Sequence, residues 1–126
     1  MGESGGSAAT VVVAEDNFLT SHLIVATLEK AGYRAVAGRD GDEVWRLVDK
    51  HRPRLLIVNL NLSRPSGMEL LRAIRKEHKA MRAIVFLAPS QADLKPQAAG
   101  FGAEAFFESP FEPTALVAEV ERLTGE

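Results

Sequence analysis

The chain has no cysteine. That excludes disulfides, thiolate metal sites and a cysteine nucleophile, and it fits a cytoplasmic protein. No apolar stretch reaches the length of a membrane span, so no membrane partner is expected. A basic excess is missing too. Fifteen Lys and Arg stand against 17 Asp and Glu, a formal net charge of −2, which argues against a dedicated nucleic-acid binder. Met1 to Ala9 carries no Lys or Arg and lacks the basic start and apolar centre of a signal peptide. We read residues 1–9 as a flexible tail and residues 10–126 as one domain.

What is present is a soluble-protein composition, with 46% apolar and 25% charged residues in 126 positions. That length allows one domain with a real core. Leu55 to Val58 is an unbroken apolar run of the kind buried on both faces in a parallel sheet. It ends at Asn59, and a polar loop with Pro65 and Gly67 leads into a helix. In open α/β sheets, chemistry collects where strands end and helices begin, so Asn59 is the first residue to question. Its amide has neither charge nor useful nucleophilicity.

Thr10 to Ala14 forms a β-branched strand that ends in the acid pair Glu15 and Asp16. Asp16 or Asn17 can cap the next helix, expected over Phe18 to Ala31 with Leu23, Ile24, Leu28 and Ala31 inward and Gly32 at its C-terminus. Tyr33 to Ala37 is a second strand. Asp40 to Asp42 opens a second helix with Val44, Leu47 and Val48 on one face, Trp45 packing beside them, and Pro53 as a stop. Ser66 and Glu69 have capping-box spacing. The third helix turns Leu70, Leu71 and Ile74 inward and Arg72, Arg75, Lys76 and Lys79 outward. We read that basic run as a solvated face.

Ala83 to Ala88 is a fourth strand. Pro96 and Gly100 then predict a fourth helix that is short or irregular, or starts late with Pro96 in its first turn. Glu104 to Glu108 is a fifth strand. Glu108 needs water or a basic partner, for which Arg64 is a candidate. Pro113 to Leu123 is the last helix. His22, His51 and His78 show no ligand spacing and read as surface or helix-end residues. Five strands alternating with five helices predict a doubly wound parallel sheet of order 2-1-3-4-5, a flavodoxin-like (βα)5 fold. Glu15, Asp16 and Asn59 would meet at its switch point.

In these residues the chain resembles the receiver domain of bacterial response regulators. The resemblance covers Val11 to Leu123. It rests on the acid pair after strand one, Asn59-Leu60-Asn61-Leu62 with Pro65 and Gly67 after strand three, Gly102-Ala103 before strand five, and Ser109-Pro110-Phe111 after it. It implies phosphoryl transfer from a histidine kinase to an aspartate, with Mg2+ held by that aspartate and the two acids. Position by position, Glu15 and Asp16 keep the acid pair. Asn59 stands at the phosphoacceptor, Ala88 at the hydroxyl position after strand four, Ser109 at the lysine position, and Phe106 at the switch aromatic. Three of the five pocket positions are therefore lost, including the one that reacts.

An amide cannot form an acyl phosphate. Losing the lysine together with its carboxylate avoids an unpaired buried charge, which costs roughly 3–5 kcal/mol. No cofactor is required on this reading. Glu15 and Asp16 are either weak Mg2+ ligands or plain strand-end acids. The resemblance also implies a cis Ser109–Pro110 bond.

The expected function is a pseudo-receiver in two-component signalling: a protein-interaction module, not an enzyme, independent of phosphorylation. Its expected partner, a signalling protein or a second copy, would use the face of helix four, strand five and helix five. The alternative is a small-molecule, flavin-binding or phosphate-processing enzyme on the same fold. Against it, Glu15-Asp16-Asn17 would repel phosphate where a glycine-rich loop should be, and no Ser-His or Cys-His arrangement is present. The chain ends just past the last expected helix, which also suits the receiver part of a longer protein.

Overall fold

Apolar strands that must be covered on both faces need helices on both sides, and the chain supplies them alternately. The computed structural model describes residues 10–125. Its elements are β1 (Thr10–Ala14), α1 (Phe18–Lys30), β2 (Arg34–Gly38), α2 (Gly41–His51), β3 (Leu55–Asn59), α3 (Gly67–Glu77), β4 (Arg82–Phe86), a 3-10 turn (Pro89–Leu94), α4 (Lys95–Gly100), β5 (Ala103–Phe107) and α5 (Pro113–Leu123). All strand pairs are parallel, in the expected order β2-β1-β3-β4-β5. The tail read at residues 1–9 lies outside the described residues. Among the described residues, no helix is long and apolar enough to cross a membrane.

Successive strand residues point to opposite faces, and this divides the core in two. Val12, Leu56, Val58 and Val85 pack with Val44, Leu70, Leu71, Ile74 and Ala98 on one face. Val11, Val13, Leu55, Ile57 and Ile84 pack with Ile24, Leu28, Leu116 and Val120 on the other. Trp45 is half-buried against the first cluster, as its spacing predicts. Pro96 does break the fourth helix. A 3-10 turn comes first, and α4 is a six-residue helix with the proline in its opening turn. The Arg64–Pro65 and Ser109–Pro110 bonds are cis, the first without any sequence signal.

Several expectations need correction. Leu23 and Ala31 are exposed, while α1 buries Ile24 and Leu28 as expected and Ser21 in addition. A helix advances about 100° per residue, so the strip facing the sheet is narrower than the apolar run. Phe18 and Leu19 are exposed with Leu23. Only half of the capping box forms. Ser66 accepts from the Glu69 N–H at 3.3 Å, while the Glu69 carboxylate takes Arg72 at 2.8 Å. Arg75 is not on the solvated face. Its Nη1 donates to the carbonyls of Lys79 and Met81, and its guanidinium lies where a Gly102 side chain would be.

Glu108 falls beyond β5 and is exposed. Arg64 does not reach it but pairs with Asp40 at 3.2 Å. Asp40 caps α2 by accepting from the Glu43 N–H, and that bond and Arg64 hold its carboxyl below its ordinary value.

Candidate functional site

β1 and β3 run side by side, with Ala14 paired to Val58. The residue after each pair is Glu15 on one strand and Asn59 on the other, so register alone brings an acid and an amide together. The Asn59 side-chain N–H donates to Glu15 Oε1 at 2.7 Å. Glu15 Oε2 accepts from the backbone N–H of Asn17 at 2.9 Å. Asn17, in turn, caps α1 through its own side chain, which accepts from Thr20 N–H.

Glu15 is only 2% exposed, whereas Asp16 beside it is exposed. Burial pushes the Glu15 carboxyl above its ordinary value of 4.5. The Asn17 N–H and the Asn59 amide pull it the other way, and Asp16 adds to the rise.

A raised carboxyl pKa has a definite sign for stability. The group favours the folded state fully below its unfolded value near 4.5, and that contribution is lost as pH rises through the raised folded value. Glu15→Gln cannot ionise. Its melting temperature is therefore expected to gain on the wild type as pH rises from about 4 to about 7. A gap that stays constant would mean that Glu15 titrates normally in the folded chain, and one that moves the other way that its carboxyl is held below the ordinary value.

The remaining predicted positions do not all join this pair. Ala88 follows β4, and its backbone N–H donates to Gln91 Oε1 at 2.8 Å. Gln91 Nε2 donates to Asn61 Oδ1 at 2.8 Å, and the Asn61 N–H donates to Asn59 Oδ1 at 2.8 Å. Ala88 is therefore linked to Asn59 through two side chains that sequence reading missed. Asn61 stands two residues after Asn59, a spacing that could have suggested a turn. Gln91 gave no signal.

Ser109 is exposed and lines a depression of about 360 Å3 with Leu19, Leu23 and Phe111 between α1 and the start of α5. Phe106 is half-buried against the first core cluster, with Lys95 Nζ 5.7 Å from its ring centroid. The histidines do not converge. His22 stacks on Phe18, and His78 lies 3.5 Å from Asp49. Among the described residues, no three His, Cys, Asp or Glu side chains gather as a metal site.

Mg2+ is the metal that the resemblance implies, and two members of the donor set, Glu15 and Asn59, do not fit it as arranged, while Asp16 is exposed. Mg2+ takes oxygen ligands. Here an amide N–H points at one oxygen of Glu15, a backbone N–H points at the other, and the Asn59 oxygen is turned to Asn61.

Comparison with known proteins agrees with the fold. Residues 11–121 match the response regulator receiver domain. The chain is 27% identical over 112 residues to the response regulator GtcR of Aneurinibacillus migulanus, covering 89% of this chain and 46% of that protein. It is 31% identical over 114 residues to the nitrogen assimilation regulatory protein NtrX of Azorhizobium caulinodans, covering 89% and 25%. The chain thus spans less than half the length of these two curated relatives.

Two solved structures share the fold. The receiver domain of NtrX from Brucella abortus superposes with a TM-score of 0.87 at 24% identity, covering 91% of this chain and 98% of that one. The chemotaxis protein CheY4 of Vibrio cholerae does so with 0.86 at 24%, covering 93% and 99%. Sheet order, strand-end acids and a match across nearly the whole chain lead to one assignment: the chain belongs to the response regulator receiver domain family.

Proposed function

We infer that this chain, over residues 10–126, is an atypical receiver that works in two-component signalling without being phosphorylated, as a cytoplasmic protein-interaction module rather than an enzyme. Receiver domains act through partner signalling proteins. The observation that carries the reading is the 2.7 Å bond from the Asn59 amide to Glu15. The residue at the acceptor position is not merely unreactive. It is engaged as a donor to the acid that would otherwise help hold a cation.

Ala88 offers no hydroxyl and Ser109 no ammonium group, so neither position supplies the contacts that a phosphoryl group would need. Any Mg2+ at Glu15 and Asp16 is weak, because it must first displace the Asn59 amide and the Asn17 N–H.

The partner surface we assign is the face of α4, β5 and α5. Phe106 is half-exposed there, and a depression of about 480 Å3 runs between β5 and α5, lined by Phe107, Ala115, Glu119 and Arg122. The partner we assign to it is a signalling protein or a second copy of the chain.

Incubation with acetyl phosphate and Mg2+, followed by intact-mass measurement, tests the chemistry. No phosphoryl adduct is expected. A stable adduct mapping to residues 59–66 would overturn the reading.

A further inference from the structure

The turn after β4 is tied by side-chain as well as backbone hydrogen bonds in this chain. Gln91 is responsible. It sits in the 3-10 turn, where its backbone N–H donates to the Ala88 carbonyl at 2.8 Å. Its side-chain oxygen accepts from the Ala88 N–H, and its side-chain N–H reaches across to Asn61 Oδ1, both at 2.8 Å. Asn61 is anchored in turn through its backbone N–H to Asn59 Oδ1, and Asn59 to Glu15. A continuous chain of hydrogen bonds therefore runs from the loop after β1, across the loop after β3, to the loop after β4.

We propose that the Asn61–Gln91 contact is a built-in strap: it holds the Pro89–Gly100 segment against the loop after β3 and keeps the α4 side of the partner surface in one shape without a phosphoryl group. The proposal rests on the reading above that this pocket takes no phosphoryl group, and it supplies what keeps such a chain in a single state.

Three features support it. Ala88 has no side chain that could swing toward a ligand, and both its backbone groups are already used by Gln91. The strap joins two loops 30 residues apart in sequence; the β3–β4 ladder ends at Asn59 and Phe86, so the strap extends the tie between the two segments past the end of the sheet. Beyond it, the segment carries Ala98, wholly buried in the first core cluster, and Lys95, placed over the Phe106 ring. The position of the turn is thus passed directly to the surface that we assign to partners. A ligand can shift such an element only by its differential affinity for two arrangements, and the strap adds to the arrangement seen here.

Amide hydrogen exchange on the full chain tests it. Asn61 is exposed, so Asn61→Ala removes the strap without opening the core. Exchange in peptides spanning residues 92–101 is expected to rise about 2- to 10-fold, the range of one net hydrogen bond, while β1 and β3 stay as protected as before. Asn61→Asp keeps an oxygen for the Gln91 amide and should exchange like the wild type. Gln91→Ala frees the Ala88 N–H as well and should exchange faster than Asn61→Ala. The double variant should match Gln91→Ala alone. Wild-type exchange in Asn61→Ala, or full additivity in the double variant, would overturn the strap. A phosphoryl adduct on the wild type would overturn the reading of the pocket instead, so the two failures are distinguishable.

Discussion

Asn59→Asp is expected to lower stability by about 1–3 kcal/mol in metal-free buffer, the cost of converting a satisfied buried contact into an unsatisfied one. It should also make the protein responsive to Mg2+ where the wild type is nearly indifferent. The mutation exchanges one nitrogen for one oxygen, 2.7 Å from Glu15 Oε1. A donor–acceptor pair becomes two acceptors facing each other.

Glu15 is 2% exposed and its carboxyl is already raised by burial. A second carboxylate at that distance raises the affinity of the pair for a proton or a cation. With Asp16 it makes a three-acid set able to offer oxygens to Mg2+. Binding to the folded state alone then restores stability, by an amount that grows with the logarithm of metal concentration. Chemical denaturation with and without millimolar Mg2+, on wild type and variant, checks this. A variant as stable as the wild type without metal would mean that the Asn59 amide contributes nothing by facing Glu15. The inference that the acceptor position has become a structural donor would then fall.

The architecture was legible in the sequence because its signals are redundant. Unbroken runs such as Leu55 to Val58 can only be covered on both faces, and alternation with helical spacing fixes a doubly wound sheet. Pro96 gave the break in the fourth helix for the same local reason that it forms, since a ring without an N–H suits only the opening turn. The identities at Glu15, Asp16 and Asn59 were legible as a group, because strand register places them together.

Their hydrogen bonds were not. Which way an amide turns depends on partners from other loops, and Asn61 and Gln91 owe their roles to the path of the backbone between β4 and α4. Arg75 misled for a related reason. A charged residue on a helical face reads as solvated, yet the turn after α3 presents two carbonyls within its reach. Leu23 misled in the opposite sense, as an apolar residue left outside because α1 meets the sheet along a narrow strip.

Gly67→Ala should be the costliest small substitution at the site. Gly67 opens α3, directly after the Ser66 cap. A β-carbon there would lie 2.1 Å from the Asn59 carbonyl oxygen, 2.7 Å from Leu60 Cα and 2.8 Å from the Asn59 carbonyl carbon. All three are backbone atoms of β3 and the residue after it, so no side-chain rotation can relieve the overlap. Either the start of α3 or the end of β3 must move.

Overpacking of this kind costs about 2–3 kcal/mol, a fall in melting temperature on the order of 10 °C for a domain of this size. Gly100→Ala is the matched control. It would meet nothing within 4 Å and sits in the last turn of α4, so its melting temperature should hold or rise. The displacement in Gly67→Ala also has a local signature. Asn59 carries the clash on its carbonyl and the site contacts on its side chain, so a shift there loosens Glu15 and Asn61 together. Faster exchange at the Asn61 N–H should accompany the lower melting temperature. A melting temperature within about 2 °C of the wild type, which corresponds to well under 1 kcal/mol, would show that the loop after β3 yields cheaply. A loop that soft could not hold the Asn59 amide against Glu15.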